Sequence, residues 1–340
     1  MEAAQGKPLT AVAYPGLVAG LALFTVLLLR HDVGQVGATL ALAGWGLGLV
    51  ALFHLLPMLA DALGWWSLLG GPMRPPLRTF VFGRWLGESV NTLLPALQVG
   101  GNLVKARFLT RRGVPGATAG ASVVVDVTLL VLSQIGFTLV GLGLLLVHLG
   151  GGPLAAPALT GMMLMGSLLA LFYFVQRHGL FGMLAATLRR LARGSSWTAL
   201  TTGAAALDHA IDRLYQDRRA LLASGAWHFV SWIAGAGEVW LALQVLGHPV
   251  GPMMALLLES LGQAVRASAF LVPGALGVQE GGYLVLGKVL GLAPETSLAL
   301  SLTKRVRELL LGLPGLVAWQ LQGATSAVAA GGARAGGMVQ

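Results

Sequence analysis

The sequence predicts an all-α polytopic membrane protein, and three observations carry that prediction. Of 340 residues 56% are hydrophobic, 49 more are glycine and only 10% are charged, where a soluble domain has about 25%. The 22 Lys and Arg and 13 Asp and Glu cannot coat a globule of this length, so lipid is the main solvent. Apolar runs long enough to cross a hydrocarbon core of ~30 Å recur along the chain. The same composition excludes a disordered chain and leaves no room for a fused soluble catalytic domain. No cysteine is present, which excludes disulfides, thiolate metal sites and cysteine nucleophiles. The net charge of +9 is read as topology and not as nucleic-acid affinity, because cytoplasmic loops collect Lys and Arg beside anionic head groups.

About six spans are expected, at 11–29, 36–58, 115–147, 154–175, 225–246 and 292–322. The first is read as a retained helix, its apolar run being long for a cleaved signal. Two further regions, 79–110 and 250–290, are apolar but carry charges, glycine pairs and a proline. A broken backbone at membrane depth survives only where protein or water satisfies it, so both are expected to be re-entrant helical hairpins. The loop 176–224 holds Arg177, Arg189, Arg190, Arg193, Arg213, Arg218 and Arg219 and is placed in the cytoplasm. Working outward puts both termini there, with Lys105, Arg107, Arg111 and Arg112. Inside the loop, Leu207, Ile211, Leu214 and Leu221 recur near helical spacing and predict an amphipathic helix. One membrane domain is expected over 1–325 and a disordered tail over 326–340.

The two irregular regions resemble each other. The first reads Glu88-Ser89, Pro95, Gln98-Val-Gly100-Gly101-Asn-Leu-Val; the second reads Glu259-Ser260, Pro273, Gln279-Glu280-Gly281-Gly282-Tyr-Leu-Val. With three spans and one hairpin in 1–150 and the same in 151–325, the loop charges make an inverted repeat, an arrangement that places a substrate site near the midplane. Lys288 fits this poorly, falling near the outer face.

Ionisable groups at membrane depth cost about 2.5–3.5 kcal/mol each on insertion scales, so they face a cavity and pair. Arg84, Glu88 and Asn91 share one helical face. Glu259, Gln263 and Arg266 share another, and Gln279 and Glu280 follow the break at Pro273. Asp126 and Glu238 sit singly in spans, and Lys304, Arg305, Arg307 and Glu308 interrupt the last one. The alternative for Arg84 with Glu88, or Arg307 with Glu308, is a structural ion pair. Together the pattern suggests a polar path whose arginines suit a phosphate head group. Gly100, Gly101, Gly281 and Gly282 permit close backbone approach. His54, His209 and His228 look isolated, and no metal-ligand spacing, phosphate loop or nucleophile elbow is found; neither metal nor cofactor is expected.

Several of these stretches resemble a known group. Arg84-Trp-Leu-Gly-Glu88-Ser-Val-Asn91 through Gly100-Gly101, Ala121-Ser-Val-Val-Val-Asp126, and Pro273-Gly through Gly277-Val-Gln-Glu280-Gly-Gly are similar to the flippase-like membrane family that includes the transmembrane domain of lysylphosphatidylglycerol synthase. Glu280-Gly-Gly-Tyr with Lys304-Arg-Val-Arg307-Glu308-Leu-Leu-Leu-Gly-Leu-Pro314 looks most like the HpnL subgroup associated with hopanoid biosynthesis. The resemblance implies a lipid flippase of the bacterial inner membrane, without an aminoacyl-transferase domain, moving a hopanoid derivative or a phospholipid-like molecule. The expected partners are that lipid and hopanoid-biosynthesis proteins. A scaffold acting through Arg189, Arg190 and Arg193, or an intramembrane enzyme using Glu88 or Glu280, is the alternative.

Overall fold

The computed structural model describes residues 7–71, 74–94, 99–149, 160, 167, 197–269 and 272–336. The span expected at 154–175 and the arginines 177–193 lie outside them, apart from residues 160 and 167. Every regular element among the described residues is helical.

Helix α1 (Lys7–Leu29) meets α2 (Val33–Ala43) at 93°, with Asp32 accepting from the Gln35 amide to start α2. Gly44, at φ 47°, ends α2 in a conformation that favours glycine. Then α3 (Gly46–Phe53) and α4 (Leu55–Ser67) follow one another through His54. Pro57 has no N–H to give the Phe53 carbonyl, and the ladder breaks at His54. The turn at Gly44 splits the expected span 36–58, and the membrane-length apolar unit is Gly46–Ser67, which runs through the joint at His54.

Helices α5 (Leu77–Leu93) and α6 (Gly100–Thr110) form the first irregular region. At 1.5 Å per residue they are about 25 Å and 16 Å long, both short of the ~30 Å core. Their crossing is set by glycine: a Cβ on Gly101 would lie 2.0 Å from the Gly87 carbonyl oxygen, and Asn91 Oδ1 accepts from the Gly101 amide at 2.7 Å. Helix α7 (Gly116–Leu149) is the second long apolar unit, over Gly116–Val147. By length and composition, two described helices are able to cross a membrane, or three if the bent pair of Leu17–Leu29 and Val33–Ala43 counts as one.

The amphipathic helix is α8 (Trp197–Gln216). It buries Ile211 and Ala210 against α7 and its neighbours, in an apolar cluster with Trp65, Phe80 and Leu109. Asp217 caps the next helix, α9 (Arg218–Val245), so Leu221 belongs to α9. The second irregular region comprises α10 (Pro252–Ser268), a 3-10 turn at Pro273–Ala275, and α11 (Val278–Val289). Helix α12 (Pro294–Gly336) closes the chain. It continues through 326–336, expected to be disordered, where five alanines favour helix against three glycines.

Packing places α3 and α4 antiparallel to α9. Gly46 meets Val245, Phe53 meets Gly237, the Pro57 carbonyl accepts from Ser231, and Gly64 meets His228. Small residues at these points let the helices approach closely. Helix α5 packs on α12, and α10 packs on α7.

Candidate functional site

A cavity of about 380 Å³ opens among α4, α5, α7, α9, α10 and α12. Its walls are unusually rich in ionisable side chains for the interior of an apolar chain, and those side chains belong to one buried network with two arms.

The first arm joins five helices. Arg84 Nη2 on α5 donates to Asp61 Oδ2 on α4 at 2.5 Å. Lys105 Nζ on α6 donates to Asp126 Oδ2 on α7 at 2.7 Å, and its charge also sits 4.8 Å from the Trp65 ring centre. His228 on α9 spans the two carboxylates, with Nδ1 2.8 Å from Asp61 and Nε2 3.0 Å from Asp126. The Asp126 and His228 side chains are wholly buried, a placement tolerable only with this degree of pairing.

The second arm radiates from α12. Arg307 Nη1 lies 2.8 Å from Glu238 Oε1 on α9. His54, at the α3–α4 joint, places Nδ1 2.6 Å from Glu238 and Nε2 2.9 Å from Glu88. Glu308 accepts from Arg266 on α10 and from Arg305 at 3.1 Å. Arg266 also donates to Gln279 Oε1 at 2.6 Å. Lys304 donates to Glu259 and to the Tyr283 hydroxyl, while Gln263 donates to the other Glu259 oxygen at 2.8 Å.

Glu280 anchors the break before α11. Its side chain accepts from the Gly277 amide at 2.7 Å, from Ser301 Oγ at 3.1 Å and from Arg305 Nε at 3.0 Å. Gly274, Ala275 and Gly277 all have positive φ, and Arg305 donates to the Gly274 and Ala275 carbonyls. A guanidinium thereby satisfies carbonyls that no helix pairs, as a broken backbone at membrane depth requires.

Set against the sequence expectations, Arg84, Glu88, Asn91, Glu259, Gln263, Arg266 and Arg307 all line the cavity. Asp126, Gln279 and Glu280 stand behind it, bonded to lining or neighbouring residues. Gln98 lies outside the described residues. Gly100 begins α6, and Gly282 packs on Val265. Gly281 faces only Leu27, at 3.7 Å.

Four expectations are corrected. Arg84 bonds Asp61 and Glu88 bonds His54, in place of a pair with each other. Asp126 and Glu238 are not solitary, nor are His54 and His228, because their partners lie on helices remote in sequence. Lys105, expected among cytoplasmic loop charges, is buried beside Asp126. Asp61, Lys304, Arg305 and Tyr283 belong to the network although spacing singled out none of them as a site residue. The seven-residue interval from His54 to Asp61, two turns on one face, is the signal that could have found the first of these. Among the described residues no three His, Asp or Glu side chains are grouped to hold a metal ion.

Beside the polar cavity runs an apolar groove of about 590 Å³, lined by Leu55, Val81, Phe82, Trp85, Leu310 and Pro314, with Arg78 at its margin. A small pocket of about 20 Å³, the neck, borders both. It shares Met58, Trp85 and Leu311 with the groove, and His54, Glu88, Arg307 and Glu308 with the cavity.

These features define a multi-pass, all-helical membrane protein built round a buried ionic network. The chain belongs to the family of the lysylphosphatidylglycerol synthase TM region, whose model matches residues 15–315. Its function is accordingly tied to membrane lipid. No curated protein and no solved structure matches the chain.

Proposed function

We propose that the chain is a lipid flippase of the bacterial inner membrane, a carrier and not an enzyme, that moves a polar-headed lipid between leaflets. The observation that carries this reading is a pair of adjacent spaces. A charged cavity and an apolar groove, meeting at a neck between α4, α5 and α12, match the two chemistries of one amphiphile. The head group occupies the cavity, where Arg84, Arg266 and Arg307 offer donors to phosphate, and a hydrocarbon tail runs out along the groove.

The packing supports alternating access. Pairing α4 with α9, α5 with α10, α6 with α11 and α7 with α12 turns the contact of α5 on α12 into that of α10 on α7. Such exchange is what an inverted repeat produces, with the two short-armed units as re-entrant hairpins either side of the site. On this reading one half rocks against the other about the α4–α9 contact. The proposed cargo is a hopanoid derivative or a phospholipid-like molecule, and the resemblance of Glu280-Gly-Gly-Tyr and Lys304–Pro314 to the HpnL subgroup favours the former.

Reconstitution in liposomes with each candidate lipid, followed by a leaflet-specific chemical probe, tests the proposal. The wild-type protein should equilibrate the cargo across the bilayer, and Arg266→Glu should abolish that while still inserting. Unchanged leaflet distribution with the wild-type protein, for every lipid tried, overturns it.

A further inference from the structure

The two histidines bridge carboxylates alike but are not equally reachable. Each of the two nitrogen–oxygen contacts in Glu88–His54–Glu238 needs one hydrogen, so that trio holds two protons while both contacts are made. The trio Asp61–His228–Asp126 has the same requirement. The His228 side chain is 0% exposed. His54 lines both the cavity and the neck, and its partner Glu88 is 35% exposed. Both trios reach the cavity, the His228 trio only through Asp61, but at His54 the imidazole itself lines it, where water delivers and removes a proton.

The charge balance gives that proton a consequence. Among the described residues the network sets six Arg and Lys side chains against seven carboxylates. With His228 charged the network is neutral; with His54 charged as well it carries +1. The groups facing His54 are Glu88 on α5, Glu238 on α9, and Arg307 with Glu308 on α12, while Asp61 and Arg84 share the cavity wall. In a low-dielectric interior an unbalanced positive charge strongly favours an anion. Protonation of His54 and binding of an anionic head group therefore stabilise each other, and linkage makes the effect mutual.

We propose that the chain is a proton-coupled carrier in which His54 takes one proton from cavity water for each anionic lipid head group loaded, and returns it to water when the head group leaves. This rests on the translocation reading above. The charges balance: one proton and one negative head group cross together, so the step is electroneutral. Loss of the proton removes one of the two hydrogens in the trio; Arg307 Nη1, 2.8 Å from His54 Nδ1, then donates to the freed nitrogen, so the His54–Glu238 contact opens and the net charge that held the anion is gone.

The test uses the full chain in phosphatidylcholine vesicles holding phosphatidylglycerol labelled on one acyl chain with a fluorophore that dithionite quenches from outside. A pH gradient of one unit should shift the steady-state leaflet ratio by about tenfold, the value for one proton per lipid. A potassium diffusion potential at equal pH should leave the ratio unchanged. His54→Gln, which cannot carry the proton, should lose the response to pH and gain a response to potential in whatever flux remains, whereas His248→Gln, at an exposed position outside the network, should keep the pH response. A wild-type ratio that follows potential and ignores pH overturns the coupling and leaves translocation standing. A wild-type protein that moves no labelled phosphatidylglycerol under any gradient also overturns the coupling to an anionic head group, and translocation falls with it when the hopanoid derivative stays in its leaflet too.

Discussion

His54 and Glu238 are 184 residues apart and meet at 2.6 Å, and the same two helices make the converse pair, His228 with Asp61 at 2.8 Å. Helix α4 carries one acid and adjoins one histidine; α9 carries one of each. Because the helices run antiparallel, each histidine reaches the other helix's acid. The reciprocity puts a pinned imidazole at both ends of one helix contact, and any rocking of the halves about that contact acts on both.

Deleting one member of a buried ion pair leaves a charge without a partner, which costs about 3–5 kcal/mol. Lys304→Met strands Glu259, whose remaining bond is from Gln263. The thermal unfolding midpoint in detergent should fall markedly. Adding Glu259→Gln should recover at least half of the loss, since the stranded charge is gone. A double variant as unstable as the single one would count against the ion pair as the cause.

Glycine positions separate cleanly. A methyl group on Gly101 meets the backbone oxygen of Gly87 at 2.0 Å, while one on Gly281 meets only Leu27 Cδ1 at 3.7 Å. Gly101→Ala should force the α5–α6 crossing apart and destabilise the protein by roughly 1–3 kcal/mol, the usual scale of overpacking. Gly281→Ala should fall within about 0.5 kcal/mol of wild type. Chemical denaturation followed by tryptophan fluorescence measures both.

Filling the groove tests the tail. Val81→Trp puts an indole into the apolar space beside Phe82 and Trp85. Flux of a long-chain lipid should drop several-fold more than flux of a short-chain analogue with the same head group. Equal losses for both lipids would place the tail elsewhere.

Much of this architecture was legible in the sequence, because composition and apolar run length report on solvent directly. The irregular regions announced themselves through Glu88, Gln98-x-Gly-Gly and Glu259, Gln279-x-Gly-Gly, and both become short helices either side of a break. The His54 and His228 roles were not legible. Helical spacing shows which side chains share a face of one helix, and neither imidazole is explained by its own helix alone: Asp61, Glu88, Asp126 and Glu238 arrive from four elements. Lys105 misled for the related reason that a basic residue after a break reads as a loop charge until Asp126 is seen beside it. The break inside 36–58 needed Gly44's positive φ, which hydropathy does not register.

Helix α12 ties Lys304 to α10, Arg305 to α11 and Arg307 to α9 within four consecutive residues. A helix held by such spokes does not turn or slide by degrees, since any rotation disturbs three neighbours at once. Inheritance feels the same constraint: a change at one spoke is rarely neutral until its distant counterpart has changed too, so this stretch should diverge in linked sets, with strong epistasis between residues that no alignment window would ever hold together.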